Sequence, residues 1–256
     1  MIDPRAAIDA SAEIDENVKI GPFAVIGPNV RIASGTEIGP HVVINGETSI
    51  GRDNRIYQFA SIGEDPQDKK YAGEPTRLEI GERNRIREFS TIHRGTAQDN
   101  SLTRIGSDNL LMAYTHVAHD CQIGNHVIMS NAASLGGHVH VDDWAILGGF
   151  SIVHQFCRIG AHCFTGMGSA VGKDVPPFVM VAGQPAKPRS INSEGLRRRD
   201  FSAERIAEIK RAFRTLYSAG LPLMAAKDEI AQRAEFSEDL RLISDFLAAS
   251  ERSIVR

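Results

Sequence analysis

Residues 14–38 read IDENVKIGPFAVIGPNVRIASGTEI, with an isoleucine at every sixth position. The same interval holds without a miss over ten isoleucines: Ile8, Ile14, Ile20, Ile26, Ile32, Ile38, Ile44, Ile50, Ile56 and Ile62. An α-helix repeats about every 3.6 residues and a simple strand about every two, so neither produces this interval. A fixed short period of this kind is typical of a solenoid, in which each repeat stacks on the one before it.

The apolar series returns after two interruptions. Ile80, Ile86 and Ile92 continue it, and a third run contains Ile105, Leu111, Val117, Ile123, Met129, Leu135, Val141, Leu147, Val153 and Ile159. Thr165 stands at the next position, and the apolar series resumes at Val171. This predicts a break in the register at Thr165.

The repeat suits short strands whose inward position is filled by one large, mostly β-branched side chain, with Gly or a polar residue at the turn that follows. Three such strands would close a triangular coil of eighteen residues. Stacked coils would pair every strand with its equivalents above and below, at about 4.8 Å per coil. The predicted fold is therefore mainly β, a parallel β-helix.

The chain changes character after the last repeats. Prolines at Pro176, Pro177, Pro185 and Pro188 end the strand ladder. Helical signals follow, and they predict one helix from an N-cap at Ser202 to near Gly220, one with Pro222 in its first turn, and one marked by Leu240, Ile243 and Leu247. We predict a β-helix domain over residues 1–190 and a small α-helical C-terminal domain over residues 191–256.

Composition narrows the class of protein. The chain has 256 residues and a formal net charge of −3, which indicates neither a nucleic-acid footprint nor a basic membrane-adhesive face. No stretch approaches the roughly twenty apolar residues of a membrane span, and the amino terminus does not read as a signal peptide. We therefore expect a cytoplasmic protein.

The three cysteines do not form a metal or redox motif. Cys121, Cys157 and Cys163 each follow an apolar repeat residue by four positions, which is the small inward position of the hexapeptide. This predicts that they are small buried side chains.

Two polar insertions interrupt the ladder. The first, residues 63–75, is rich in charges and turn formers and cannot supply inward apolar side chains. The second, residues 94–100, lengthens the step from Ile92 to Ile105 to thirteen residues and shifts the register by one. Loops that leave a rigid scaffold often carry function, so both are candidates for a site.

Most of the nine histidines lie between His116 and His162. A coil of eighteen residues would place position 119 beneath 137 and 155, so that His119, Gly137, His138 and Gln155 share one edge, with His154 beside them. Imidazole accepts protons near neutral pH, and an exposed glycine N–H can stabilise an oxyanion. This combination predicts acyl transfer.

A zinc site is an alternative interpretation of the same histidines. Trimeric carbonic anhydrases of the hexapeptide fold bind zinc, and such a site needs three imidazoles that converge on one point. His116, His119 and His138 are the candidates. The offset of His138 by one position leaves their convergence open.

Several longer segments resemble the UDP-N-acetylglucosamine O-acyltransferases of lipid A biosynthesis, and the resemblance extends over essentially the whole chain. These segments are IYQFASIGE at 56–64, KYAGEPTR at 70–77, TIHRGT at 91–96, VAHD at 117–120, VHQFC at 153–157 and EGLRRR at 194–199. Hexapeptide repeats alone would be a weak pointer to acyl transfer. The six segments taken together are a specific indication of this family.

The resemblance implies a left-handed β-helix that assembles as a homotrimer, with active sites in clefts between subunits. It also implies the first step of lipid A biosynthesis, in which an (R)-3-hydroxyacyl group moves from the thioester of acyl carrier protein to the glucosamine 3-hydroxyl of UDP-N-acetylglucosamine. No metal or organic cofactor, no nucleic acid and no stable membrane insertion are implied. The acidic carrier protein would need a basic rim.

The family's roles carry over residue by residue. His119 would be the general base and Gly137 the oxyanion donor. Asp120 would orient His119 only if the pair sits at a corner, because neighbouring strand residues face opposite sides. The sugar and acyl pocket would be lined by Asp68, Lys70, His116, His138, His154 and Gln155. The nucleotide would be contacted from the tail by Asn192, Glu194, Arg198 and Arg199, since arginine suits bidentate phosphate contact.

Met167 is the candidate for setting the acyl chain length. The resemblance places it at the closed end of the acyl groove, where other members carry glycine. It follows His119 by 48 residues (167 − 119). This is about 2.7 coils, or roughly 13 Å along the axis, near the reach of a ten-carbon chain. We therefore predict that the preferred acyl substrate is the 3-hydroxydecanoyl group.

The chain departs from the family pattern in two places. Asp200 stands where the family has glycine, and residues 183–189 fit the pattern only loosely. An extra acid beside Arg199 could weaken phosphate binding or be turned away from it. Neither departure touches the proposed base.

Two other function classes stay open. A related N-acyltransferase of the same pathway also uses carrier-bound hydroxyacyl groups, but it is expected to carry an additional amino-terminal domain, whereas here the repeat begins at Ile8. A non-enzymatic solenoid scaffold is the other class. It leaves the clustered histidines and the long insertion without a purpose.

Overall fold

Short strands with one inward side chain build most of the molecule. The computed structural model describes residues 1–256 and contains 27 strands followed by four helices. Most strands have two residues, of which the first faces outward and the second is buried, as in Lys19–Ile20 and Arg31–Ile32. The inward residue is the one that the six-residue interval marked.

The strands form three sheets, one on each side of a triangular coil. Sheet 1 contains β1 (Ala7–Ile8), β4 (Val25–Ile26), β7 (Val43–Ile44), β10 (Ser61–Glu64), β13 (Thr91–His93), β16 (His116–Val117), β19 (Ser134–Leu135), β22 (Ile152–Val153) and β25 (Ala170–Val171). Sheet 2 contains β2 (Glu13–Ile14), β5 (Arg31–Ile32), β8 (Glu47–Ile50), β11 (Arg77–Ile80), β14 (Leu102–Ile105), β17 (Gln122–Ile123), β20 (His140–Val141) and β23 (Arg158–Ile159). Sheet 3 contains β3 (Lys19–Ile20), β6 (Glu37–Ile38), β9 (Arg55–Ile56), β12 (Arg85–Ile86), β15 (Leu110–Leu111), β18 (Ile128–Met129), β21 (Ile146–Leu147), β24 (Phe164–Thr165), β26 (Val179–Ala182) and β27 (Lys187–Ile191).

All strand pairs are parallel except β26 with β27, which is antiparallel. In the regular coils the partners are eighteen residues apart, as in Ile8 with Ile26 and Ile26 with Ile44. The prediction of a left-handed parallel β-helix followed by α-helices is confirmed.

The turns between the sheets stack into three corners. Corner 1 joins sheet 1 to sheet 2, corner 2 joins sheet 2 to sheet 3, and corner 3 joins sheet 3 to sheet 1. In the central coils they contain residues 119–120, 137–138 and 155–156 (corner 1), 125–126, 143–144 and 161–162 (corner 2), and 113–114, 131–132, 149–150 and 167–168 (corner 3). The second residue of each turn has a positive φ, for example 59° at Asp120.

A ladder of buried asparagines stabilises the inside of corner 2. The Oδ1 atom of Asn54 accepts from Asn84 N at 2.9 Å, and Oδ1 of Asn84 accepts from Asn109 N at 2.9 Å. The amide of Asn84 also donates to Gly106 O at 2.9 Å. The ladder satisfies turn backbone groups in the coils that carry the two insertions.

The predicted break at Thr165 is wrong. Thr165 pairs in register with Leu147 and Val181 and is fully buried in the inward position. Its hydroxyl lies 2.8 Å from Ser151 Oγ and accepts from Gly148 N at 3.0 Å. The chemical pattern changes at this position, but the register does not, because these hydrogen bonds satisfy the buried hydroxyl.

The four helices are α1 (Ser193–Arg197), α2 (Ala203–Tyr217), α3 (Leu223–Ala234) and α4 (Glu238–Ala249). Ser202 is the N-cap of α2, as predicted, and its side chain accepts from Arg205 N. Pro222 stands at the N-cap of α3, one position before the predicted first turn. The sequence did not predict the five-residue α1.

The helices close one end of the solenoid core. Phe213 and Tyr217 of α2 pack against it, and Val255 belongs to it. The last strand ends at Ile191, and the domain division at residues 190 and 191 stays a prediction. No helix combines the length and the apolar character needed to cross a membrane.

The three cysteines are free and fully buried, as predicted. Burial raises the pKa of Cys121 to about 12 and that of Cys157 to about 11. Both therefore stay protonated at neutral pH and act as small apolar side chains.

The asparagine ladder can be tested with Asn84→Ala. This variant leaves Asn109 N–H and Gly106 C=O without their partners, and each buried unpaired group costs about 1–3 kcal/mol. We expect the free energy of unfolding in urea to fall by about 2–6 kcal/mol. Asn131→Ala, at an exposed turn position, is the control and should change it by less than about 0.5 kcal/mol. If both variants lowered the free energy of unfolding equally, the proposed contribution of the ladder to stability would be contradicted.

Candidate active site

Both polar insertions leave the solenoid at corner 1. The first lies between β10 and β11 and the second between β13 and β14, so each connects sheet 1 to sheet 2. His119 and Asp120 form the turn of the next coil at the same corner. The interruptions of the ladder and the clustered histidines therefore share one edge of the molecule.

His119 and Asp120 are joined by a hydrogen bond between Nδ1 and Oδ2 at 2.8 Å. The positive φ of Asp120 turns the chain at the corner, so the two neighbouring side chains meet instead of facing opposite sides. A carboxylate only accepts hydrogen bonds, so Nδ1 of His119 carries the proton. This leaves Nε2 with the lone pair that a general base needs.

The Asp120 carboxylate is buried, with 1% of its side chain exposed. Burial by itself raises the pKa of Asp120, but the hydrogen bonds from His119 and Thr96 and the charge of His138 outweigh it, and the pKa stays below its ordinary value. Asp120 is therefore ionised at neutral pH.

Gly137 lies one coil along the axis from His119. A Cβ atom at this position would lie 2.5 Å from His119 Cε1, so any side chain would displace the imidazole. The N–H of Gly137 donates to no acceptor within the chain. The absence of a side chain at position 137 thus leaves room for the His119 imidazole, and the Gly137 N–H stays available as a donor.

His138 packs beside the same pair. Its Nδ1 lies 2.8 Å from Asp99 Oδ2, and its Nε2 lies 3.7 Å from Asp120 Oδ2. Its ring meets that of His119 edge-on at 5.1 Å and stacks on Phe156 at 4.3 Å. Two histidines thus flank one carboxylate.

His116 and His93 extend the cluster along sheet 1. Nδ1 of His116 lies 2.7 Å from Thr91 Oγ1, and its ring meets that of His93 edge-on at 5.1 Å. Burial, with the charges of His116 and His119, lowers the pKa of His93 to about 4. The sequence interpretation did not name His93 as a site residue. The pairing of Thr91 with His116 could have indicated it, because His93 is two residues after Thr91 on the same strand.

The three histidines of the alternative zinc interpretation do not form the group that converges. His119, Asp120 and His138 have ligand atoms within 4.8 Å of one another, whereas His116 is outside the group. In this trio Nδ1 of His119 points at Asp120, and Nδ1 of His138 points at Asp99. The arrangement has the geometry of a hydrogen-bonded network.

The other predicted pocket residues lie around corner 1 and differ in their exposure and contacts. Asp68 Oδ1 accepts from Lys70 N at 3.0 Å within the first insertion, and the Lys70 side chain is exposed. His154 and Gln155 are exposed, and Gln155 O accepts from Arg252 Nη1 at 2.8 Å. All of them are accessible to a bound molecule.

The tail residues lie at corner 2, not at corner 1. Asn192 caps α1 and donates to His162 O at 3.0 Å. Arg199 donates to Trp144 O at 3.1 Å and lies over the Trp144 ring. Glu194 pairs with Arg197 and Arg198, which are exposed. Sheet 2 separates these residues from His119 within one chain.

Met167 lies at corner 3, and 82% of it is exposed. The same corner carries a column of stacked rings, with centroids 4.9–5.2 Å apart along Phe23, His41, Phe59, Phe89 and Tyr114. Four of these rings and Phe150 are 42–68% exposed. One chain therefore distributes the predicted base, tail and chain-length residues over three corners.

Comparison with known proteins assigns the chain to a family. A family described as UDP N-acetylglucosamine O-acyltransferase, domain 2, matches residues 174–255, and the bacterial transferase hexapeptide repeat matches residues 11–46 and 102–137.

Full-length relatives carry the same name. The acyl-[acyl-carrier-protein]--UDP-N-acetylglucosamine O-acyltransferases of Halorhodospira halophila and Janthinobacterium sp. are 58% and 56% identical, covering 100% of this chain and 99% of each relative. The crystal structure of Francisella novicida UDP-N-acetylglucosamine acyltransferase matches with a TM-score of 0.99 at 44% identity, over 100% of this chain and 94% of that one. The chain belongs to the UDP-N-acetylglucosamine O-acyltransferase family.

Proposed function

We propose that this chain acts in the cytoplasm and moves an (R)-3-hydroxyacyl group from acyl carrier protein to the glucosamine 3-hydroxyl of UDP-N-acetylglucosamine, with His119 as the general base. Family membership supports the enzyme class, an acyl-[acyl-carrier-protein]--UDP-N-acetylglucosamine O-acyltransferase of lipid A biosynthesis. The observation that carries the mechanism is the hydrogen bond between His119 Nδ1 and the buried Asp120 carboxylate.

The chemical step follows from this pair. Nε2 of His119 accepts the proton of the sugar 3-hydroxyl as its oxygen attacks the thioester carbonyl. The negative charge that develops on the carbonyl oxygen is stabilised by a backbone donor, the N–H of Gly137. The C–O bond forms, the C–S bond breaks, and the imidazolium returns its proton to the departing thiolate. Asp120 holds the imidazole in the required tautomer and stabilises its charged form.

The distribution over three corners supports a site shared between subunits. The base at corner 1, the arginines at corner 2 and Met167 at corner 3 meet only if neighbouring chains bring different corners together. The exposed aromatic column at corner 3 is an apolar surface of the kind that subunits cover. A homotrimer with a site in each cleft accounts for both observations.

Acyl length is the property that we assign to Met167. The residue lies about 2.7 coils from His119, or roughly 13 Å along the axis. A methionine side chain at the end of a groove shortens it relative to glycine. A ten-carbon hydroxyacyl group is the proposed substrate.

The base is tested by comparing wild type with His119→Ala. We expect kcat to fall by about a hundred- to ten-thousandfold, because proton abstraction loses its acceptor. Asp120→Asn should lower kcat as well, since an amide also admits the wrong tautomer. His140 lies on the outer face of sheet 2. His140→Ala is the control, and it should leave kcat unchanged. An active His119→Ala enzyme would contradict the mechanism, and an inactive wild type would contradict the reaction.

The chain-length assignment is tested with Met167→Gly. The variant should gain activity with 3-hydroxymyristoyl carrier protein relative to 3-hydroxydecanoyl carrier protein, because the groove becomes longer. Met167→Leu keeps most of the volume and should retain the preference for the shorter chain. If Met167→Gly does not gain the longer substrate, Met167 does not set the length.

Complementation tests whether one site uses two chains. His119→Ala and Arg198→Ala chains, each nearly inactive alone, are unfolded together in equal amounts and refolded. In random trimers a site with its base from one chain and its arginine from the next is intact in about one quarter of cases, so about a quarter of wild-type activity should return. No recovery is expected if each site lies within one chain.

A further inference from the structure

The second insertion reaches both histidines, His138 directly through Asp99 and His119 through the carboxylate of Asp120. We propose that Thr96 and Asp99 in this segment are positioning residues, with Thr96 acting on His119 through Asp120 and Asp99 acting on His138. This inference rests on the proposed function of His119 and adds two residues to it.

Thr96 fixes the Asp120 carboxylate at both oxygens. Its backbone N–H donates to Oδ1 at 2.8 Å, and its hydroxyl donates to Oδ2 at 2.6 Å. Thr96 is fully buried. Because Oδ2 also accepts from His119 Nδ1, the direction of the carboxylate sets the direction of the imidazole. A hydrogen bond from a hydroxyl to a charged carboxylate is stronger than one between two neutral groups.

Asp99 acts on the other ring. Its Oδ2 lies 2.8 Å from His138 Nδ1, so the carboxylate selects the tautomer with the proton on Nδ1. This contact also fixes the ring so that its Nε2 faces Asp120 Oδ2 at 3.7 Å. Asp99 is three residues after Thr96, and the two side chains reach different histidines.

The segment is held tightly enough to position these groups. Thr96 O accepts from Asp99 N at 3.3 Å and from Ser101 N at 3.1 Å, and Ser101 O accepts from Arg77 N at 2.9 Å. These bonds close the insertion on itself and fasten its end to β11.

Gly95 explains how the segment comes so close to the carboxylate. A Cβ atom at Gly95 would lie 2.1 Å from Leu102 N and 2.8 Å from Asp120 Oδ1. Only glycine allows the backbone to approach Asp120 this closely. The preceding residue, Arg94, is buried and donates to Gly63 O and, at 3.1 Å, to Tyr71 OH. The second insertion is therefore anchored to the first.

Thr96→Val tests the first contact, because valine keeps the shape and the backbone N–H and removes only the hydroxyl. We expect kcat to fall about ten- to a hundredfold through misplacement of His119, with KM for UDP-N-acetylglucosamine unchanged. Thr96→Ser keeps the hydroxyl and should restore most of kcat. The control is Thr76→Val, because Thr76 is buried and its hydroxyl has no hydrogen-bond partner. It should leave kcat unchanged.

Asp99→Ala tests the second contact. Here we expect KM for UDP-N-acetylglucosamine or for the hydroxyacyl carrier protein to rise roughly tenfold, with a smaller change in kcat, because His138 loses the partner that orients it. Melting temperatures of all variants show whether the fold is intact. The split between kcat and KM is the readout that a purely structural role would not produce.

The outcomes separate this inference from the function on which it rests. Loss of activity in His119→Ala together with wild-type kcat in Thr96→Val overturns the role of Thr96 alone. Equal losses in Thr96→Val and Thr96→Ser also overturn it, since the hydroxyl would then be irrelevant. Unchanged KM values in Asp99→Ala overturn the role of Asp99. Full activity in His119→Ala overturns the proposed base itself.

Discussion

Backbone hydrogen bonding between coils is the constraint on which the rest of the structure depends. Each two-residue strand is too short to be stable alone, and it becomes part of a sheet only because equivalent strands lie eighteen residues before and after it. Inward side chains such as Ile26 and Ile44 then fill a continuous column that excludes water. Rigidity follows from this arrangement, because a strand inside a sheet cannot move without breaking its pairs on both sides. A site assembled from corner residues inherits that rigidity, which suits a reaction whose catalytic groups must be held in place before substrate arrives.

Much of the fold could be predicted because the six-residue interval reports directly on the inward positions. The interval gave the coil length, and the coil length placed His119 beside Gly137 and His138. It could not show Thr165 as an inward residue, because the hydroxyl is satisfied by Ser151 and Gly148, and such partners have no sequence period. The same reason hides the asparagine ladder at Asn54, Asn84 and Asn109. Polar groups buried in a regular fold depend on individual partners, and those are visible only in three dimensions.

The candidate site was predictable in composition and less so in arrangement. Motif residues identified His119 and Asp120, and the structure shows how a corner with positive φ joins them. Counting residues along the axis gave the separation of His119 and Met167, but it ignored the direction around the axis, which puts them on different corners. The arginines of the tail were likewise predicted as site residues, but their position at corner 2 was not predicted. What sequence left out entirely is the support beneath the histidines, because Thr96 and Asp99 lie in a segment with no repeat to interpret.

Corners and strands respond differently to changes in length. Both insertions enter at corner 1, between sheet 1 and sheet 2, and the strands on either side keep their pairing, as Ile50 with Ile80 and Ile80 with Ile105 show. A single residue added inside a strand would instead turn the inward side chain of that strand toward solvent. Evolution of such a gene is therefore expected to proceed in two kinds of step, whole coils that lengthen the molecule and loops of any size at a turn. Variation in the chemistry around His119 can accumulate at corner 1 while the core sequence stays fixed.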